Sequence, residues 1–295
     1  LLLTKMAEPF ARRPKAAVEY AYAQIERSAV DVEPPPAEVA EYLRGQSAQL
    51  DVIRDHIVHA GPINTNDARP QIALTQLFIA RALTTGSWDD LHAAWMIDRP
   101  LWNRDETLFI ALTQTRMLNA AAAKMPLPAP SWLDELRAFD YRQRFAAAAQ
   151  LDAWNSRLIV EETIREHPLF ALIDGWRAIA MDADFSEQLR VRTAELLAMK
   201  SCDYTRDPLF VKPMNVASWN YLGRALQGLK FMEWRYIARY RAELEATEKT
   251  HALRAGQIPS TVSQCSDGTW IVTPRSIRFS REIGKPQFPI GHEVR

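Results

Sequence analysis

Apolar residues recur at three- and four-residue spacings through almost the whole stretch 14–255, in segments dominated by Ala, Leu, Glu, Arg and Gln. That periodicity lays an apolar stripe along a 3.6-residue helix, and these residues are strong helix formers, so the stretch reads as a succession of α-helices. Proline and a few glycines punctuate it. Pro14 opens a helix to about Ser28, the Pro34-Pro35-Pro36 run opens a second that reaches His59, and Gly61-Pro62 stops it. Asp67 is placed to cap a third helix ending at Thr85-Gly86, and Ser87 with Asp90 forms a capping-box variant for the next, Trp88–Asp98. Further helices are predicted over 104–124, from Ser131, over 140–166, 169–181 and 186–199, with Asp184 and Glu187 capping the last of these, and over 231–255.

From Gln257 the pattern switches to a period of two. Trp270-Ile271-Val272-Thr273 and Ser276-Ile277-Arg278-Phe279-Ser280 read as a hairpin turning at Pro274-Arg275, and a third strand over 260–262 is expected because two strands alone are marginal in water. The predicted fold class is therefore mainly α: an irregular α-α array, tetratricopeptide-like over 72–101, with a small C-terminal β-hairpin. Gly86 marks the helix-helix turn of that repeat, with Phe78 and Ala82 before it and Leu91 and Trp95 after it. The predicted organisation is an N-terminal stub over 1–13, a helical array over 14–200, a crossing loop and last long helix over 201–256, and a β element over 257–295.

Composition narrows the function classes. The 295 residues carry 36 Lys plus Arg against 36 Asp plus Glu, so there is no global field to hold a polyanion, and nucleic acid is excluded as a partner on that ground. The signs also alternate within the same helices. With only 10 glycines and none of the standard nucleotide-binding strings, and with only 2 cysteines, neither a phosphate loop nor a four-thiolate zinc site is expected, and no cofactor is predicted.

Candidate chemistry is sparse. His56 and His59 are three apart on one helix, but zinc needs at least a third ligand, and Asp55 points about 100° away from His56. Consecutive acids (Asp89-Asp90, Asp105-Glu106, Glu161-Glu162) diverge on a helix and read as helix-start or solvated residues. Glu162 and Glu166 share a face beside His167, the only arrangement here fit for a pair of catalytic carboxylates, with Arg157 and Arg165 as ordinary ion-pair partners. Trp88 and Trp95, seven apart, make either a carbohydrate-stacking platform or a core stripe. The last helix interleaves Arg235, Arg239 and Arg241 with Trp234, Tyr236 and Tyr240. Its acids Glu233, Glu243, Glu245 and Glu248 predict pairing within the helix and a solvated face.

Cys202 and Cys265 fall in predicted loops far apart in sequence, and form either one disulfide in an oxidising compartment or two free thiols. The opening Leu1-Leu2-Leu3-Thr4-Lys5 reads as the stub of an upstream apolar segment or as the frayed start of a soluble, cytoplasmic chain. The runs Ala80-Arg81-Ala82-Leu83, Gly86-Ser87-Trp88-Asp89-Asp90, Arg99-Pro100-Leu101, Asp105-Glu106-Thr107-Leu108 and Asn220-Tyr221-Leu222-Gly223-Arg224 resemble a loosely defined group of bacterial proteins. Cys265, Trp270 and Ser276-Ile277-Arg278-Phe279-Ser280 resemble it too. The group is helical, anchored in the membrane by its N-terminus and without an assigned activity. The resemblance implies a bacterial envelope location, tethered through an upstream anchor with the domain facing the periplasm, and no catalytic residues. The functional expectation is a non-enzymatic module that binds a protein or peptide; the alternative is a glycan-acting hydrolase using Glu162, Glu166 and His167.

Overall fold

The computed structural model describes residues 6–27, 31–61, 68–104, 107–166, 168–202, 215–220, 234–283 and 290–294. Among them are ten α-helices: α1 (Lys15–Arg27), α2 (Ala37–Gly45), α3 (Ser47–Ala60), α4 (Ala68–Thr85), α5 (Trp88–Asp98), α6 (Leu108–Ala122), α7 (Leu133–Ala138), α8 (Tyr141–Glu166), α9 (Pro168–Ala198) and α10 (Trp234–Arg254). Three strands follow, β1 (Trp270–Thr273), β2 (Ser276–Phe279) and β3 (Gly291–Glu293), so the protein is mainly α with a small C-terminal sheet. No helix among the described residues is long and apolar enough to cross a membrane. The chain forms two compact units, residues 1–139 with 240–295, and residues 140–239.

In the first unit α4 is buried on nearly every side, which obliges its polar residues to find partners. Gly86 reverses the chain after it at φ +72°, a left-handed conformation that costs glycine nothing, and α5 packs back along α4. Ser87 caps α5 by accepting the amide of Asp90 at 3.3 Å. The expected return bond of a capping box does not form. Asp90 is one methylene shorter than the usual Glu, Thr85 already takes the Ser87 amide, and the Asp90 carboxylate is buried against the Arg81 guanidinium of α4, with Nε at 2.8 Å. Arg81 reaches on to Asp51 of α3 at 3.0 Å, so one buried guanidinium joins three helices. Asp90 is therefore both an acid of the first turn, as expected, and the partner of a buried cation.

Two predicted boundaries differ from the structure. The single helix expected up to His59 is broken at Gln46 (φ −98°, ψ 3°), directly after Gly45, whose backbone freedom makes it a poor helix interior. The break predicted near Asp184 is absent. Ala178, Met181, Phe185, Leu189, Arg192 and Leu196 form one uninterrupted buried stripe through it. Asp184 instead accepts Asn220 Nδ2 at 2.9 Å and the Ala217 amide at 3.4 Å, so it holds a loop where a cap was expected. Asp67, Asp105 and Glu106, and most of the crossing loop, lie outside the described residues.

The second unit contains the hairpin of α8 and α9. Arg142 at the start of α8 donates to the carbonyls of Leu196, at 2.6 Å, and Leu197 near the end of α9, which fixes the pair as antiparallel and supplies a donor to the C-terminal carbonyls of α9.

The last helix departs most from expectation. From Tyr240 onward α10 runs through the first unit's core: Glu243, Glu245, Thr247, Lys249, Thr250 and His251 are all buried, and Glu248 is the exposed acid of the helix. Glu243 bonds Arg116 of α6 through both oxygens, at 2.8 and 2.6 Å, across 127 residues of sequence. Asn119 Nδ2 donates to the Glu243 carbonyl at 3.0 Å, His251 Nε2 lies 2.7 Å from the Ala122 carbonyl, and Arg254 donates to Ala123 and Met125 at 3.0 and 2.7 Å. Pairing within the helix joins Glu245 to Lys249, at 3.3 Å.

The sheet hangs from this helix. The hairpin forms in the predicted register, Trp270 opposite Phe279 and Val272 opposite Ile277, and the Thr273 hydroxyl takes the turn amide of Ser276 at 3.0 Å. The third strand is not 260–262, where Val262 makes a single bridge to Thr269, but β3 on the far side of β2. Gly291 permits that approach, since a Cβ there would lie 2.1 Å from the Ile277 carbonyl oxygen.

Removing one member of a buried, hydrogen-bonded ion pair strands the other charge. Glu243→Ala is therefore expected to cost about 3–5 kcal/mol in urea unfolding, whereas Arg116→Met with Glu243→Leu should recover most of that loss. A loss for the single variant below about 1 kcal/mol would place the pair among surface-type bridges and contradict its assigned role.

Candidate functional site

Glu162 and Glu166 lie on α8 and are both exposed; Glu162 faces Arg165 at 3.9 Å, and His167 lies outside the described residues. His56 and His59 are exposed on α3, His59 Nδ1 lies 2.6 Å from the Asp55 carbonyl, and no metal-competent group of three ligands occurs among the described residues. The side chains of Glu161, Trp234 and Arg235 lie outside the described set.

The tryptophan stripe is core and turn packing. Trp95 is fully buried, edge-on to Phe139 with centroids 5.4 Å apart. Trp88 donates to the Pro126 carbonyl at 2.8 Å and meets Trp132 edge-on at 6.0 Å, so it holds the loop after α6 rather than offering a flat stacking surface. His92 stacks on Trp132 at 4.8 Å, and burial pushes its pKa down.

Among the clefts that the described residues line are two on helix surfaces. The first, of about 390 Å³, lies between α10 and the segment after it, and its lining includes Glu245, Lys249, Ser260 and Ser263. Its polar groups are consumed internally: Lys249 Nζ donates to the carbonyls of Ser260 (2.6 Å) and Val262 (3.3 Å), and Ser263 Oγ donates to Glu245 at 2.8 Å. This is a clamp on the chain leaving α10. The second cleft, about 240 Å³, runs between α8 and α9 and is lined by Gln150, Trp154, Arg157, Ser186, Leu189 and Arg190.

The two helices that form the second cleft also expose large apolar side chains. Leu151, Trp154 and Leu158 of α8 are 44, 53 and 46% exposed, and Trp176 and Ile179 of α9 are 66 and 67% exposed. Spacings of three and four place Leu151, Trp154 and Leu158 in one row, apart from the buried Tyr141, Phe145 and Ala148. Guanidinium groups border it: Arg157 stands over the Trp154 ring at 5.3 Å and Arg177 over Trp176 at 5.5 Å, while Arg157 also pairs with Asp182 at 3.6 Å. Sequence reading did not single out this row, although its signal was present: a helix with two separate apolar stripes has one more than a two-helix packing needs.

Cys202 and Cys265 are both buried, and neither is a free thiol. No known protein family, curated protein or solved structure matches the chain.

The histidines of the first unit carry a pH dependence. Desolvation lowers the pKa of His251, and pushes that of His292 down to about 4 against the opposing pull of Asp31 and Glu243. The His292 ring lies 3.3 Å from Thr247 Oγ1 and links β3 to α10. An unfolded histidine takes up its proton near pH 6.5 while the folded one resists, so His292 contributes stability that is present above about pH 6.5 and is lost as pH falls towards 4. Urea midpoints measured down this range should fall more steeply for the wild type than for His292→Gln; parallel lines would refute the assignment.

Proposed function

We propose that the chain is a non-enzymatic interaction module of the bacterial cell envelope, and that its second unit docks an amphipathic helix of a partner protein across the α8–α9 face. The observation that carries this reading is the solvent-facing row Leu151, Trp154 and Leu158 on α8, with Trp176 and Ile179 also exposed on α9, the helix packed against it. Soluble surfaces rarely leave a row of large apolar side chains open unless something covers it, and a pair of antiparallel helices with a cleft between them has the shape to accept a third. Tryptophan and arginine are also the residues most often found to dominate binding energy at interfaces, and both line this cleft. The hydrolase alternative draws no support from Glu162 and Glu166, which stand in solvent.

What supports an oxidising compartment, and hence a domain facing the periplasm, is that the 2 cysteines of the chain are both buried and neither is free. The membrane tether is proposed on the resemblance described above.

A photo-crosslinking residue at position 158, in cells that make the protein natively, should give one discrete protein adduct that Trp154→Glu suppresses. The same residue at Val52, equally exposed on α3, should give none. An identical pattern at both positions, or no adduct at 158 in folded protein, would remove the docking face. For the compartment, thiol blocking of freshly isolated protein should leave both cysteines unmodified until a reductant is added; blocking of either before reduction would contradict a periplasmic location.

A further inference from the structure

Asp98 ends α5 with its carboxyl completely buried, and among the described residues no cation stands against it. Oδ2 lies 2.5 Å from Thr115 Oγ1 of α6, and Oδ1 is buried with no hydrogen-bond partner. Thr115 Oγ1 has two further neighbours, the Trp102 indole N–H at 3.0 Å and the Ala111 carbonyl at 2.8 Å. Trp102 can only donate and a carbonyl can only accept, while Thr115 has a single hydrogen to give.

The Ala111 carbonyl is already served by the Thr115 backbone amide within α6, so the Thr115 hydroxyl is free to donate to either neighbour. The other carboxyl oxygen decides the arrangement. Were Asp98 ionised, Oδ1 would be the unpartnered half of a full negative charge in a buried site. With a proton on Oδ2, Asp98 donates to Thr115, which also takes the Trp102 hydrogen and donates to Ala111, and Oδ1 is the weakly polar carbonyl oxygen of a neutral acid.

The charged and titratable groups around the site do not offset that charge. Arg99, next in the chain, reaches out to Glu135 at 3.8 Å; Arg116, next to Thr115, is engaged with Glu243. From α10, Tyr240 approaches with its hydroxyl 3.5 Å from the Thr115 carbonyl, and from before α8 Phe139 meets Trp102 edge-on. Desolvation raises the Asp98 pKa well above the usual range, although the hydrogen bonds from Thr115 and Trp102 work against it.

We propose that Asp98 is a protonated, neutral acid in the folded protein at neutral pH, and that its hydrogen, passed through Thr115, latches the end of α5 to α6. The latch is sensitive to pH in the sense opposite to the histidines. An unfolded Asp releases its proton near pH 4, so the stability Asp98 contributes is complete below that value and is lost as pH rises towards and through the folded pKa.

The direct test is a carbon-detected NMR titration of aspartate side-chain carboxyls in the full-length chain, with Asp98 assigned through bonds in the wild type so that no variant is needed. The Asp98 carboxyl carbon should stay at its protonated shift through pH 3–6, where the exposed aspartates move. A second measurement compares urea midpoints of the wild type and Asp98→Asn, in which the amide stands in for the neutral acid: the variant should gain on the wild type with every step from pH 4 to 8. An Asp98 signal that titrates with the exposed group, or a difference between the two proteins that does not change with pH, would overturn the proposal.

Discussion

The buried fork between Arg116 and Glu243 is the constraint on which the first unit depends. Two fully desolvated charges are tolerated only when each finds its partner in good geometry, and here the partners come from α6 and α10, 127 residues apart. The requirement continues along the seam. Asn119, Thr247, His251 and Arg254 each spend a polar group on the facing helix or on the carbonyls that end α6, so sliding α10 by one turn would unpair them together. Apolar packing alone would allow such a slip. The polar seam sets the register, and with it the position of everything after Arg254: Lys249 and Glu245 clamp the departing chain, and Thr247 meets His292 on the third strand.

The second unit is built the other way. Its α8–α9 hairpin is stitched by backbone capping through Arg142 and by the buried stripe of α9, while a second apolar row on α8 stays open to water. The polar pairs on its outer surface, Glu187 with Arg190 and Glu162 with Arg165, are exposed and contribute little to stability. The proposed function places recognition on that open row. In the first unit, by contrast, Lys249, Glu245 and Arg254 spend their polar groups internally.

The element types and several boundaries were legible in the sequence, because proline, Gly86 and the switch from period four to period two are local signals. The hairpin register and the Trp88–Asp98 helix followed from them. What was not legible was non-local. Asp90 looks like a helix-start acid alone until Arg81 is brought against it, and Asp184 looks like a helix start until Asn220 arrives to use its carboxylate. Glu243 and Glu245 each sit four residues from an arginine, Arg239 and Arg241, so sequence spacing alone favours a solvated, self-paired helix; only the return of α10 to α6 reveals a buried one. Asp98 gave no sign, since an acid at a helix end followed by Arg reads as an ordinary ion pair, and its burial is a property of the packed core. The catalytic reading of Glu162 and Glu166 rested on a shared helical face, and that face points to solvent.

Native-state hydrogen exchange as a function of low urea tests the central claim most directly, because it reports which segments open together. If the Arg116–Glu243 seam makes α6 and residues 240–254 of α10 one cooperative body, their slowest amides will exchange with the same free energy and the same urea dependence, merging only at the global limit of the first unit. Amides of α10 that open at distinctly lower free energy, with a urea dependence of their own while α6 stays protected, would show that the last helix is docked on the core instead of holding it.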